Sequence, residues 1–205
     1  MGSKQRGIGV VGLGNVAGAH IKAFGEVVGA RVVAATSRRE HTDDQLQETY
    51  GTTFKVYHEL DDMLADPAVE VVDICTPHFL HTEQAIASAR AGKHLVIEKP
   101  IGLGPDELRD LERTVEKAGV RVCVCFECRF SGHFSCVHSM IDRGLLGRLH
   151  YGEVDYHHTI RGHRKAWHNT IEGAGSSLLT AGCHALDGLL FFMDRPVTEV
   201  SSMTT

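Results

Sequence analysis

The sequence has no excess of positive charge and no long apolar run, and both absences narrow what the protein can be. Its 205 residues carry 21 Lys and Arg against 26 Asp and Glu, a formal net charge of −5. Without a basic surplus, a nucleic-acid or anionic-membrane partner is not expected. No apolar run approaches the roughly 20 residues that a membrane-spanning helix needs. We therefore expect a cytoplasmic protein that contacts neither nucleic acid nor membrane.

The six cysteines do not form a recognisable metal site. The densest group of potential ligands lies in one stretch: Cys123, Cys125, Cys128, His133, Cys136 and His138. A zinc site needs four converging ligands, usually supplied as compact pairs, and no second Cys-x-x-Cys pair occurs here. Cys123 and Cys125 also alternate within an apolar segment, where cysteine behaves as a small apolar residue. We predict reduced thiols and no bound metal.

The first 120 residues alternate between short β-branched runs and helical patterns, which predicts an α/β fold with a parallel sheet. Six runs are predicted as strands: Ile8–Val11, Arg31–Ala35, Phe54–Tyr57, Val69–Cys75, His94–Ile97 and Val120–Cys125. Five helices are predicted between them: Val16–Phe24, Asp43–Tyr50, Glu59–Ala65, Thr82–Ala91 and Asp106–Ala118. The strands are almost continuously apolar, as expected for a doubly wound sheet covered by helices on both faces.

The pattern changes beyond residue 122, which divides the chain into residues 1–122 and 123–205. The second part is predicted to contain a helix over Phe134–Arg143, a strand over Leu149–His157, a helix from the Gly/Ser-rich loop Gly173–Ser177 to about Met193, and a strand over Glu199–Met203. One or two strands cannot form a stable sheet. We therefore expect this second domain to be incomplete.

A dinucleotide fingerprint follows the first predicted strand. The segment Gly12–Ala17, GLGNVA, has the Gly-x-Gly-x-x-Ala form. Gly12 permits the tight turn, Gly14 lets the backbone approach a pyrophosphate, and Ala17 allows close packing of helix on strand. The N-terminus of the following helix favours the phosphate charge, and the position between a strand and a helix makes the motif specific. The predicted cofactor contacts here are Gly12, Gly14, Asn15 and Val16.

The end of the second strand, where the cofactor ribose is expected, carries a hydroxyl and two arginines. NAD-specific domains usually have an acidic residue there, whereas NADP sites use arginine. No acidic residue occurs between the end of this strand and Glu40. Ser37 and Arg38 can hydrogen-bond a 2′-phosphate. The prediction is a preference for NADP over NAD. The alternative is that the arginines are solvated surface residues.

Four further segments, taken with the fingerprint, resemble the Gfo/Idh/MocA oxidoreductases, the glucose–fructose oxidoreductase and inositol dehydrogenase family. They are Asp73–His78 with His81, Glu98–Pro100, Gly144–Gly147, and Gly182–Asp187. The resemblance implies a Rossmann domain followed by an α+β domain with an open, mostly antiparallel sheet. It also implies a homo-oligomer that oxidises hydroxyls, or reduces ketones, of sugars, glycosides or cyclitols. Because members of the family are longer, it again implies a partial second domain.

The resemblance also assigns roles to individual residues. Thr76, Pro77, His78 and His81 would border the nicotinamide half of the cofactor. Glu98 and Lys99 would contact the cofactor at the junction of the domains, with Lys99 also reaching the substrate. A cis Lys99–Pro100 bond is expected. Removing hydride from an alcohol requires a base for the hydroxyl proton. An imidazole such as His184 suits that task, while the Lys99 ammonium can stabilise the developing alkoxide.

The helix that carries His184 leaves two questions open. Thr180, His184 and Asp187 share one helix face by their spacing, and the family often has Asp at the position of Thr180. Asp187 is assigned as a catalytic residue that orients the imidazole, with a polar helix face as the alternative. Arg129 and Trp167 either face the cleft or form a salt bridge and a buried aromatic, respectively.

A non-catalytic NAD(P)-binding sensor is the rival to a dehydrogenase. A Rossmann fold by itself does not dictate activity, and some relatives of the family bind NADP without turnover. The presence of Lys99 and His184 favours an enzyme, whereas Thr180 favours the sensor. We predict an NAD(P)-dependent oxidoreductase.

Overall fold

A six-stranded parallel sheet forms the N-terminal part of the chain in the computed structural model, which describes residues 5–157 and 166–203. Its strands are β1 (Arg6–Val11), β2 (Ala30–Thr36), β3 (Lys55–Tyr57), β4 (Val71–Ile74), β5 (His94–Ile97) and β6 (Val122–Val124). Every pair is parallel, and the order is β3-β2-β1-β4-β5-β6. This is the strand order of a doubly wound dinucleotide-binding domain. The predicted fold class is confirmed for this part.

Five helices connect these strands, as the sequence predicted. They are α1 (Ala17–Glu26), α2 (Asp43–Tyr50), α3 (Leu60–Leu64), α4 (His81–Arg90) and α5 (Pro105–Ala118). Local chemistry sets several of their ends. Thr42 caps α2 and exchanges hydrogen bonds with Gln45, and α5 begins at a proline and ends before Gly119, which has a φ of 65°. Such a left-handed residue is common after a helix and favours glycine.

Apolar side chains fill both faces of the sheet. One buried cluster includes Val72, Ile74 and Leu95, and a second includes Ile8 and Ile21. Burial on both sides explains why the strands are continuously apolar rather than alternating. The chain reverses its direction of winding between β1 and β4, and in such sheets ligands bind outside the carboxyl ends of the strands at that point.

The chain divides into two units, which we describe separately. The Rossmann unit comprises the described residues 5–125 and 166–176, and the second unit comprises 126–157 and 177–203. The short helix α7 (Ile171–Ala174) belongs to the Rossmann unit. The second unit contains α6 (Gly132–Asp142) and α8 (Cys183–Met193), and a π-helical turn over Leu178–Gly182 precedes α8.

Two strand predictions in the second unit were wrong. Leu149–His157 and Glu199–Met203 have irregular backbone where the structure describes them, and the second unit has no strand among residues 126–157 and 177–203. Alternation between apolar and polar residues indicates one buried face, but a strand also needs a hydrogen-bonding neighbour. The predicted antiparallel sheet is therefore not present in the described part of the chain.

One segment passes a length-and-composition test for a membrane-crossing helix, contrary to the expectation that no apolar run comes close. Within Ile171–Met193, an 18-residue window reaches a mean hydropathy of 1.3. The backbone of this segment is interrupted at Gly175, where φ is 72° and ψ is −118°. It also carries His184 and Asp187, the latter in an ion pair with Arg129. An interrupted helix with a paired charge is a poor membrane span.

Candidate functional site

The turn after β1 has room for a dinucleotide pyrophosphate. Gly12 has a φ of +87°, and a Cβ there would lie 2.8 Å from Cγ2 of Thr76, so only glycine fits. A Cβ on Gly14 would come no closer to the neighbouring residues than 3.7 Å, at the carbonyl oxygen of Cys75. The space above Gly14 is therefore open. These are the two different roles that the fingerprint requires of its first two glycines.

The start of α1 completes the phosphate end of the site. Asn15 and Val16 are exposed, whereas Ala17, the third fingerprint position, is fully buried. No side chain caps the N-terminus of α1. Uncapped N–H groups and the positive end of the helix dipole together suit a phosphate anion. The residues present thus fit a dinucleotide.

The ribose end of the site contains two histidines that sequence reasoning missed. The hydroxyl of Ser37 lies 2.9 Å from Nε2 of His41 and accepts from the backbone N–H of Arg39. His58 contacts the carbonyl oxygen of Ser37 and pairs with the carboxylate of Glu40 at 2.9 Å. The first acid after β2 is thereby paired.

Arg38 follows Ser37 directly in the chain, and its side chain is exposed. The bond to the Ser37 carbonyl and then the Glu40 carboxylate raise the pKa of His58. Arginine, serine and a readily protonated histidine all suit a 2′-phosphate. The signal for the histidines was their place in the chain: His41 lies four residues after Ser37, and His58 follows directly after the neighbouring strand β3.

His81 connects two loops at the carboxyl edge of the sheet. Its ring is fully buried, with Nδ1 2.8 Å from the carbonyl oxygen of Pro100 and Nε2 2.8 Å from that of Thr76. The hydroxyl of Thr76 donates to Gln84. Since both ring nitrogens of His81 face backbone carbonyls, the geometry supports a positioning role for it rather than a direct contact with the cofactor.

His78 and Trp167 present buried polar atoms that suit a ligand. Their rings meet edge to face with centroids 4.8 Å apart. The His78 ring bonds the backbone of Ala174, and burial followed by the charge of His81 lowers the pKa of His78 to about 4. Within the described part of the chain, Nδ1 of His78 and Nε1 of Trp167 are buried without a hydrogen-bond partner. Buried polar atoms usually have partners, so a neutral acceptor and a donor here fit a bound polar group.

Glu98 and Lys99 directly follow β5, at the same edge of the sheet as the fingerprint. The Lys99–Pro100 peptide is cis, as predicted. One carboxylate oxygen of Glu98 accepts from the backbone N–H of Lys99 at 3.2 Å. The other lies 3.0 Å from Nε2 of His20, on α1. His20 was not predicted; its signal was its place one turn beyond the fingerprint.

Among residues 5–157 and 166–203, three groups of side chains are close enough to be considered as metal ligands: His20 with Asp73 and Cys75, His20 with Glu98 and Cys125, and Glu127 with Cys128 and His184. Each offers three ligands, whereas a structural zinc site takes four. The first two groups use opposite nitrogens of one ring, so they cannot converge on a single ion. The prediction that the protein holds no metal stays a prediction.

In the second unit, the His184 ring is buried among aromatic groups. It is 1% exposed, stacks on Tyr156 with centroids 4.8 Å apart, and meets Phe126 edge on. Nε2 lies 3.6 Å from a carboxylate oxygen of Glu127. The π-helical turn that holds Thr180 ends just before α8 and His184, and such turns are frequent at functional sites.

Asp187 is paired with an arginine. The guanidinium of Arg129 donates to both of its carboxylate oxygens, with an Nε–Oδ2 distance of 2.9 Å. Asp187 is 7% exposed. The pairing supports the salt bridge that the sequence left open for Arg129, and it gives the Asp187 carboxylate a partner other than the imidazole.

Comparison with known proteins decides the family. A model described as an oxidoreductase family with an NAD-binding Rossmann fold, GFO_IDH_MocA, matches residues 6–126, and the GFO/IDH/MocA C-terminal domain matches residues 134–205. The chain belongs to the Gfo/Idh/MocA oxidoreductase family. The resemblance inferred from the motifs is confirmed, and the Rossmann unit of this family member is an NAD(P)-binding domain.

Named relatives of this Gfo/Idh/MocA protein include two inositol dehydrogenases. The chain is 31% identical over 142 residues to scyllo-inositol 2-dehydrogenase (NADP(+)) IolW of Bacillus subtilis, covering 69% of this chain and 40% of the relative. It is 29% identical over 196 residues to myo-inositol 2-dehydrogenase of Thermotoga maritima, covering 94% and 56%. A crystal structure of a probable dehydrogenase from Thermotoga maritima superposes with a TM-score of 0.83 at 25% identity, covering 93% and 56%. The chain thus spans about half the length of these proteins.

Proposed function

We propose that this protein transfers hydride between NADP and a hydroxyl or keto carbon of a cyclitol, sugar or glycoside. The observation that carries the proposal is the position of Lys99, which follows β5 at the sheet edge where the open turn at Gly14 also lies. Ligands of doubly wound sheets bind at that edge. The inositol dehydrogenases among its relatives support a cyclitol as substrate.

Two side chains carry the proposed chemistry. The bound nicotinamide would supply the hydride acceptor. Lys99 would hydrogen-bond the reacting hydroxyl and stabilise negative charge as its proton leaves. His184 would accept that proton, because a neutral imidazole can act as a general base. Asp187, which the sequence assigned to orient His184, is proposed instead as the structural partner of Arg129.

The preference for NADP rests on the group after β2. Ser37, Arg38 and His41 offer a hydroxyl, a guanidinium and an imidazole, while one oxygen of the exposed Glu40 carboxylate is bonded to His58. A 2′-phosphate bound here would therefore face hydrogen-bond donors, and the nearest acid in the chain, Glu40, is already bonded to His58. NAD, which lacks that phosphate, would gain nothing from Arg38.

A binding titration tests the cofactor proposal. Trp167, the only tryptophan, reports binding by fluorescence quenching. We expect NADPH to bind at least tenfold more tightly than NADH, and Arg38→Ala to weaken NADPH binding about tenfold with little effect on NADH. Arg109→Ala, an exposed arginine on α5, is the matched control. Equal affinities for both cofactors would contradict the NADP preference.

Turnover distinguishes the enzyme from a cofactor-binding sensor. Wild type would be incubated with NADP⁺ and a panel of inositols and sugars while NADPH absorbance is followed. Lys99→Met is expected to lower kcat at least a hundredfold while leaving NADPH affinity within about threefold of wild type. Tight cofactor binding with no turnover on any polyol would favour the sensor.

The domain arrangement, assembly and location complete the proposal. We propose that residues 123–205 belong to a C-terminal α+β domain whose antiparallel sheet mediates homo-oligomerisation, in a cytoplasmic protein. Light scattering that shows a stable monomer at micromolar concentration would contradict the oligomer.

A further inference from the structure

Three ionisable side chains from three elements meet near the carboxyl ends of β4 and β5. His20 is on α1, Asp73 is in β4, and Glu98 follows β5. Nδ1 of His20 lies 3.0 Å from both carboxylate oxygens of Asp73, and Nε2 lies 3.0 Å from Oε1 of Glu98. The side chains of these residues are 16%, 0% and 15% exposed, respectively.

The partners of the ring determine its protonation. Ionised carboxylates only accept hydrogen bonds, so each ring nitrogen of His20 must donate, and the ring is an imidazolium. Without that cation, the fully buried carboxylate of Asp73 and the partly buried carboxylate of Glu98 would face each other across the ring, which is unfavourable. His20 therefore joins α1 to the ends of β4 and β5 through charge-assisted bonds.

The network continues to Lys99. Glu98 uses one oxygen for His20 and the other for the backbone N–H of Lys99, at 3.2 Å. We infer that His20 is a positioning residue of the oxidoreductase site, whose imidazolium holds the Glu98 carboxylate and through it the backbone that presents Lys99. This inference rests on the proposed function, in which Lys99 contacts the substrate.

The other groups facing the ring keep its charge constant. Hydrogen bonds to Asp73, Cys75 and Glu98 raise the pKa of His20 far above its ordinary value. Burial opposes ionisation of Glu98, yet the bond and charge of His20 and the charge of Lys99 lower the pKa of its carboxyl.

Two thiols also face the ring. Burial raises the pKa of Cys75 and of Cys125 to about 12. Both are therefore neutral thiols near pH 7 and cannot replace the cation. His20, Glu98 and the two thiols therefore keep their charge states near pH 7.

A double-mutant cycle tests whether His20 acts through Lys99. His20→Gln keeps a donor but removes the charge, and we expect it to lower kcat at least tenfold with NADPH affinity within threefold of wild type. In the Lys99→Met background the same change should lower the residual rate less than twofold, because coupled residues are not additive. His94→Gln, on β5 and bonded to the backbone of Arg121, is the control and should leave kcat unchanged. Equal losses in both backgrounds would overturn the inference.

A spectroscopic measurement tests the imidazolium without any turnover. In ¹⁵N spectra of the full chain, the ring of His20 should keep both nitrogens protonated from pH 6 to pH 9, and Glu98→Gln should bring its titration toward the ordinary range. If the wild-type ring of His20 titrates near pH 6.5, the inference about His20 is overturned while the proposed function still stands. If the ¹⁵N spectrum shows the imidazolium but no polyol is turned over, the proposed function is overturned. The role of His20 in that function is then overturned as well.

A metal is the competing occupant of the same cluster. Zn²⁺ alone would be titrated into wild type and Cys75→Ser. Micromolar binding that is lost in Cys75→Ser would make the cluster a metal site and overturn the positioning role, since a metal-bound nitrogen carries no proton. Absence of Zn²⁺ binding supports the imidazolium.

Discussion

Arg129 donates to both carboxylate oxygens of Asp187 across the second unit. The carboxylate is nearly buried, whereas the guanidinium is 41% exposed. Two charge-assisted bonds to arginine fix the position of this carboxylate. The relationship favours a structural role for Asp187.

Arg129→Met should therefore destabilise the protein while changing catalysis little. It leaves a nearly buried carboxylate without its cation, which we expect to cost about 2 kcal/mol of unfolding free energy, less than for a fully buried pair because Arg129 is partly exposed. Urea unfolding measures the loss, and kcat of the folded variant should stay within about threefold of wild type. A hundredfold fall in kcat at unchanged stability would restore Asp187 to the catalytic group.

Substitutions at the two fingerprint glycines should separate cofactor binding from folding. Gly14→Val places its side chain in the open space above the turn, so we expect an unchanged Tm and loss of detectable NADPH binding. Gly12→Ala forces a left-handed alanine against Thr76 and should cost about 1–3 kcal/mol. Thermal unfolding and NADPH titration of both variants check this. Normal NADPH affinity in Gly14→Val would contradict the placement of the pyrophosphate.

His81→Leu should be among the most destabilising single changes in the Rossmann unit. The fully buried ring faces the carbonyl oxygens of Pro100 and Thr76, and leucine would leave both without that partner. Each loss is expected to cost about 1–3 kcal/mol. The midpoint of urea unfolding should fall accordingly, with the exposed His150→Leu as the control. Equal unfolding midpoints for the two variants would contradict a stabilising contact between the His81 ring and these two carbonyl oxygens.

The stability of the protein should depend on His78 at mildly acidic pH. Burial, then the charge of His81, lower its pKa to about 4, whereas the unfolded residue titrates near 6.5. Between these values the unfolded chain binds the proton more tightly, so stability is full above about pH 6.5 and is lost as pH falls toward 4. The loss from this group approaches about 3 kcal/mol.

A comparison of unfolding free energies at pH 7 and pH 4.5 isolates this effect. His78→Asn should show a smaller drop than wild type, and His150→Asn should show the same drop as wild type. Parallel curves for wild type and His78→Asn would mean that the His78 ring is not buried in its neutral form.

Much of the Rossmann unit could be predicted from local patterns. Each of the strands β1 to β6 and the helices α1 to α5 lies within two residues of its predicted bounds, because apolar runs, proline at the start of α5 and glycine after it act over a few residues. The predictions for Leu149–His157 and Glu199–Met203 failed because pairing with a distant strand cannot be read from alternation alone.

The sequence by itself determined the family, the parallel sheet, the phosphate turn at Gly12 and Gly14, and the candidate roles of Lys99 and His184, since each depends on residue types at short, fixed spacings. Only the tertiary structure decided which charges meet. His20 and Glu98 are 78 residues apart, and Arg129 and Asp187 are 58 apart. Partners at such separations are chosen by the packing of helices and strands, and the cost of leaving a buried charge unpaired then selects the contact.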